Sequence, residues 1–294
     1  MTSSGADGAT STAVVTLSDD QRHTIAEKKA TCPFIASAIE SGALSARNSA
    51  ERPLAAIGDV VALGDSGGGD LGRTVLALFA RGNHSRMPGP AGQPDMLAPT
   101  GMFSLDLAGS QGAHAGHSGI LLGDPGQRDA GRFSAADFAR LAKHADDRGL
   151  LTVETVGAFI AENIERDPAA KVLPVSRWAR TLFGIADELG DSLFALLGGR
   201  RTDRDAIELV EKLTKFAGDD NLIGSAGEFG LLFAFLAHRP GAEDETIRFA
   251  DVEDMMVHHR FPVGWEAWPK QATDWVRATA KIAASAIKAH LKRS

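Results

Sequence analysis

The stretch Ser225-Ala-Gly-Glu228-Phe-Gly-Leu-Leu-Phe-Ala-Phe-Leu-Ala237 constrains the fold more than any other. Its spacing is helical, and beyond Glu228 it is apolar on every side. A helix without a polar face has to be wrapped by other elements, so the chain must build a core around it. Glu228 is the only ionisable residue in this stretch before His238. Two readings of the carboxylate stand side by side. Ser225 and Glu228 match S-x-x-E, a capping box, in which the glutamate serves the helix start and has no chemistry. In the other reading Glu228 lies at the edge of an apolar pocket, where desolvation raises a carboxyl pKa and suits it to proton transfer.

The rest of the chain supplies helices to do the wrapping. Ser18 and Gln21 resemble a capping box opening a helix over 19–29, and a short apolar-periodic run follows at 34–39, closed near Gly42. The pattern predicts further helices over 53–63 and from Leu71 to Phe79. Ser134 caps a helix with Phe138 and Leu141 inward. Thr152 caps another, with Val153, Val156, Ile160 and Ile164 on one face. Helices are expected over 178–197, 202–216, 249–259 and 269–292; in the last, Trp275 and Ile282 share a face. The segments 43–52 and 83–100 read as connectors, the second with four prolines. A short strand fits 101–107. The expected fold is mostly α: a single globular multi-helix domain with long loops and little β structure. Residues 1–17 are expected as a disordered tail, 18–268 as the helical domain, and 269–294 as a C-terminal helix packed on it.

Charge and composition narrow the partners. A net charge of −7 without a dominant basic face argues against nucleic acid. No apolar run approaches the length of a membrane span, and no basic segment precedes the short apolar run Ala13-Val14-Val15 as in an export signal. The expected location is the cytoplasm. One cysteine, Cys32, excludes a scaffold built on internal disulfides. Gly67, Gly69 and Gly72 fit G-x-G-x-x-G, but no strand precedes them, no lysine follows, and Asp65 and Asp70 would repel phosphate.

Cys32 is followed by Pro33, and proline is favoured in the first turn of a helix. With Thr31 as cap, Cys32 lies at a helix N-terminus, where unpaired N–H groups favour a thiolate. Such a sulfur is a nucleophile, a metal ligand, or, in the plainer reading, a small buried hydrophobe. His114 and His117 lie three apart in a glycine-rich stretch, a spacing that lets two imidazoles converge on a metal or substrate. Polar loop residues bonding backbone account for them equally well.

Several of these stretches, in this order, resemble the haem-thiolate peroxidases, the family of chloroperoxidases and unspecific peroxygenases. Cys32-Pro33 and its helix look like the family's N-terminal Cys-Pro motif. The segment 117–124 and then Gly131-Arg-Phe133 fall where the family has its acidic distal motif and a Gly-Asp-rich loop. Residues 151–156 are similar to the following helix start, Gly227-Glu228 resembles the distal Gly-Glu, and 252–265, ending Arg-Phe-Pro-Val-Gly-Trp265, looks like the C-terminal segment. The likeness runs from about Thr31 to Trp265.

The resemblance implies haem b as cofactor, with Cys32 as the proximal iron ligand and Pro33, Phe34 and Ser118 as cofactor-binding residues. It implies Glu228 as distal acid–base, with His114 or His117 as its partner. Hydrogen peroxide would then drive oxidation of a halide, or oxidation or oxygenation of a small organic molecule. Two departures go with it. The peroxygenases place an arginine seven residues before the glutamate, where this chain has Asn221. His114 stands where a carboxylate of the family's cation site is expected, with only Ser118 matching, so a Mg²⁺ or Mn²⁺ site is not carried over. The alternatives are a non-catalytic haem-binding or sensing protein and a helical interaction module with no cofactor.

Overall fold

The structure, a computed structural model, describes residues 13–28, 30, 32–65, 134–166, 221–270 and 274–293. It also describes 73, 76, 77, 80, 86, 87, 89, 92–94 and 96–105. In chain order the elements are α1 (Asp19–Lys28), α2 (Pro33–Glu40), β1 (Arg47–Asn48), β2 (Pro53–Ala56) and α3 (Ile57–Gly64). Then come β3 (Arg86–Met87), β4 (Met96–Leu97), β5 (Met102–Ser104), α4 (Ala135–Leu141), β6 (Leu150–Thr152) and α5 (Val153–Arg166). The last are α6 (Asn221–Leu236), β7 (Thr246–Arg248), α7 (Phe249–Met256) and α8 (Asp274–Arg293). The protein is mostly α, and the strands among the described residues are two to four residues long.

Three helices carry the architecture. α8 packs against both α5 and α6, and glycine governs each crossing. A Cβ at Gly157 in α5 would lie 2.6 Å from Ser285 Cβ, 2.8 Å from Ala286 N and 2.9 Å from Ile282 O of α8. A Cβ at Gly230 in α6 would lie 2.3 Å from Thr279 Oγ1 and 3.1 Å from Thr279 N. α5 approaches the α8 backbone more closely than a side chain permits, and α6 approaches it tightly, with the Thr279 hydroxyl in the place a Cβ would take. The side chains around these crossings are core: Val156, Phe159, Ile160, Phe229, Phe233 and Ile282 are all buried. α5 starts as its sequence dictates. Thr155 N donates to Thr152 Oγ1 (3.2 Å) and Thr152 N to Thr155 Oγ1 (3.0 Å), a reciprocal cap. α4 is capped by Ser134, whose Oγ accepts from Asp137 N at 3.1 Å, with Phe138 and Leu141 inward.

A second layer places α2. α1 packs on α2, and α2 ends at Ser41 with Gly42 in the left-handed region (φ 74°). Phe34 stacks on Phe235 of α6, with centroids 4.4 Å apart and planes at 15°. Phe261 and Trp265 stack on each other at 4.0 Å and both flank Phe34. Trp265 Nε1 donates to Phe235 O (2.9 Å). The buried Lys270 ammonium lies 4.0 Å from the Trp265 ring centre and donates to the carbonyls of Trp265, Glu266 and Trp268. Phe34, Phe235 and the 261–265 turn, distant in sequence, therefore meet in one aromatic stack.

Four expectations change. The helix expected over 53–63 begins as a strand: β2 is the middle of the antiparallel order β1-β2-β5, and α3 starts only at Ile57. Leu54, Ile57 and Val60 mimic helical spacing, but pairing with β5 and the bond from Ile57 N to Gly101 O (2.9 Å) hold the first part extended. The connector 43–52 contains β1, and 83–100 contains the antiparallel pair β3–β4. Residues 13–17, assigned to the tail, run along β1: Val15 N bonds Ala46 O, and Leu17 is buried. The C-terminal helix, described over Asp274–Arg293, does not start at 269, since residues 269 and 270 are not helical. The helices expected over 178–197 and 202–216 lie outside the described residues. Among the described residues, no helix is long and apolar enough to cross a membrane.

Candidate functional site

Cys32 occupies the N-cap of α2 with extended backbone (φ −87°, ψ 120°), and Pro33 supplies the first helical position. The cap is thus Cys32 itself and not Thr31, which lies outside the described residues. A cysteine in this place faces the helix's first N–H groups. No side-chain hydrogen bond closes the cap, yet the thiol feels those groups. Burial pushes the Cys32 pKa up, the N–H groups of Ile35 and Phe34 pull it down by less, and the Glu228 charge pushes it up again. The expected thiolate is therefore not the resting form. Loss of hydration outweighs the helix terminus, and the sulfur is a neutral thiol in this environment. Cys32 is half-buried by accessible surface; crowding by neighbouring atoms rather than complete enclosure removes its water.

Glu228 lies inside α6, which starts at or before Asn221. Ser225 is buried one turn upstream of it, within the same helix. Neither residue is at a helix start, so the capping-box reading of Glu228 is overturned. Its carboxyl is pushed up to about 8 by desolvation, so it is held as a neutral acid near pH 7. Its position follows from helical spacing. Glu228, Leu231, Leu232 and Phe235 fall at i, i+3, i+4 and i+7, one stripe of the helix. Phe235 joins that stripe to Phe34, two residues after Cys32. Glu228, Leu231 and Leu232 are half-buried, whereas Phe229 and Phe233, on other faces, are 3% exposed. Along this stripe Glu228, Leu231 and Leu232 are partly open, and Phe235 closes its far end in the ring stack. The coupling between Glu228 and Cys32 shows that each lies within electrostatic reach of the other.

Phe34 is 6% exposed and belongs to the ring stack, and Phe229 sits edge-on to Phe159 at 5.8 Å. Both pack as core. Pro33 shapes the first turn that presents Cys32. His114, His117 and Ser118 lie outside the described residues. Among the described residues, no group of three or more His, Cys, Asp or Glu side chains converges as a metal cluster. One contact escaped sequence reasoning: Trp275 Nε1 of α8 donates to Gly227 O at 2.8 Å, directly beside Glu228. The only sequence signal for it was the shared face of Trp275 and Ile282.

Glu228, once ionised, opposes ionisation of the Cys32 thiol at the helix N-terminus, while the upward shift of Glu228 itself comes from desolvation. A positive centre next to the sulfur offsets its lost hydration and displaces the thiol proton. The carboxylic acid is poised to donate a proton near neutrality and to accept one once ionised. No family model, no curated protein and no solved structure matches the chain.

Proposed function

We propose that the chain is a haem-thiolate peroxidase or peroxygenase that uses hydrogen peroxide to oxidise or oxygenate small organic molecules, or to oxidise halide. The observation that carries this reading is the pairing of Cys32 with Glu228. The chain's one cysteine stands at a helix start, within electrostatic reach of a desolvated acid that has no capping role to explain it.

The donor set fits haem iron. Cys32 offers one soft ligand presented by the rigid first turn of α2, and the N–H groups of Phe34 and Ile35 stabilise negative charge on its sulfur. Bound haem would supply the oxidising chemistry, with thiolate ligation favouring cleavage of the peroxide O–O bond. Glu228 would accept a proton from the peroxide oxygen it meets and return it to the departing oxygen, which leaves as water. Starting as an acid with a pKa of about 8, it reaches the ionised form that opens this cycle more readily as pH rises toward that value. Leu231 and Leu232 would give an organic substrate an apolar wall beside the carboxyl.

The test is spectroscopic first. The full chain is incubated with haem, reduced and exposed to carbon monoxide. The strongly red-shifted Soret band of thiolate-bound iron is expected, and a histidine-type band overturns the ligand assignment. Glu228→Gln should then keep that spectrum and lose peroxide-driven turnover; retained turnover removes the acid–base role.

A second reading, a helical module without cofactor, is favoured by the net upward push on the Cys32 thiol, which is what an inert core cysteine would show. Failure of the chain to take up haem would select it.

A further inference from the structure

We propose that Trp275 is a positioning residue for Glu228, its indole N–H pinning the Gly227 carbonyl and so fixing the rotation of α6 that turns Glu228 toward Cys32. The inference rests on Glu228 being the proton-transfer group.

The argument begins with the bond itself. Trp275 Nε1 donates to Gly227 O at 2.8 Å, across a sequence separation of 48 residues. Gly227 is well inside α6, where its carbonyl already has a place in the helical ladder. A second donor there contributes direction more than satisfaction. It fixes one point on the circumference of α6 to a point on α8. Glu228 is the next residue, rotated by one helical step, so the azimuth of Gly227 sets that of Glu228.

One turn later, Gly230 brings α6 against Thr279 so closely that a Cβ would lie 2.3 Å from Thr279 Oγ1 and 3.2 Å from Trp275 O. This second contact limits translation but is not a directional tie, because Thr279 Oγ1 is buried with no hydrogen-bond partner among the described residues. At the far end of α6, His238 Nε2 bonds Asp274 Oδ2 at 2.6 Å, fixing the start of α8 near the end of α6. Rotation about the α6 axis is then held near its middle by the indole.

A carboxyl carried roughly 6 Å from the helix axis moves about 2 Å for a rotation of about 20°. Misplacement of about 1 Å is enough to lower a rate by about 100-fold.

The test uses two readouts on the full chain. The first needs no cofactor: the rate of Cys32 alkylation is followed against pH, because ionisation of Glu228 changes the charge felt by the thiol. Wild type should show an inflection from Glu228 that is absent in Glu228→Gln. Trp275→Phe keeps the ring and removes the N–H. It should move that inflection by about half a pH unit or more. In the haem-loaded protein it should lower kcat about tenfold with KM little changed. Ile282→Val, which loosens the buried face of the same helix without touching Gly227, serves as the packing control. It should lower the melting temperature while leaving the inflection and kcat in place.

An unmoved inflection in Trp275→Phe overturns the proposal, as does an equal movement in Ile282→Val or the absence of any Glu228 inflection in wild type. If the inflection behaves as expected but Glu228→Gln retains turnover, it is the acid–base reading that falls, while the positional tie stands.

Discussion

The two sides of α6 are built on opposite rules. The side toward α8 has traded side chains for proximity: Gly230 admits the α8 backbone, and the Gly227 carbonyl is held by Trp275. The side toward Cys32 keeps its side chains: Glu228, Leu231 and Leu232 are half-buried there, and Phe235 is buried in the ring stack. One face is made rigid by small residues, and the other carries the one acid the helix contains. The difference teaches that an almost wholly apolar helix can be both core and site, provided that one face is fixed firmly enough to leave another incompletely packed.

Substitutions break this comparison in graded ways. The largest effect is expected on the open face, where Glu228→Gln should reduce peroxide-driven turnover by about 100-fold or more, measured as kcat in the haem-loaded protein. On the closed face, Gly230→Ala should destabilise the fold by about 1–3 kcal/mol in denaturant unfolding, because the added Cβ meets both the Thr279 hydroxyl and its backbone. That cost should appear whether or not cofactor is bound.

The pH dependence of stability separates the faces again. The Glu228 pKa is about 8 when folded, against a reference value of 4.5. Below pH 4.5 both folded and unfolded forms are protonated and the residue contributes no slope. Between these values the unfolded chain releases a proton that the folded chain keeps, so stability falls as pH rises, and the loss is complete above pH 8. For a half-buried group the loss is on the order of 2 kcal/mol. Glu228→Gln should flatten that slope, as read from unfolding curves at pH 5 and pH 9. The smallest effect belongs to Thr279→Val. Removing a buried hydroxyl that has no hydrogen-bond partner among the described residues should leave stability within about 0.5 kcal/mol or raise it.

What could be read from sequence followed from the range of the interactions. α4 and α5 were legible because their caps and apolar stripes are local: Ser134 with Asp137, Thr152 with Thr155. The burial of α6 was legible from its lack of a polar face. β2 and the β3–β4 pair were not, since their hydrogen bonds go to strands set by tertiary structure, and Leu54, Ile57 and Val60 imitate a helix. At the site, the position of Cys32 before a proline-led helix was readable, but its protonation state was not. A helix N-terminus is a local feature, whereas desolvation depends on everything packed around the sulfur. The Ser225–Glu228 capping box failed for a related reason: Leu222 and Ile223 continue the apolar run upstream, and the motif sits mid-helix.

The packing of α8 on both α5 and α6 has a consequence for synthesis. Both of these helices leave the ribosome before α8 does. The nascent chain therefore carries two notched surfaces, at Gly157 and Gly230, that remain uncovered until α8 emerges. Glu228 can be present in a formed helix yet still be free to swivel, so the acid gains its orientation only after α8 has docked.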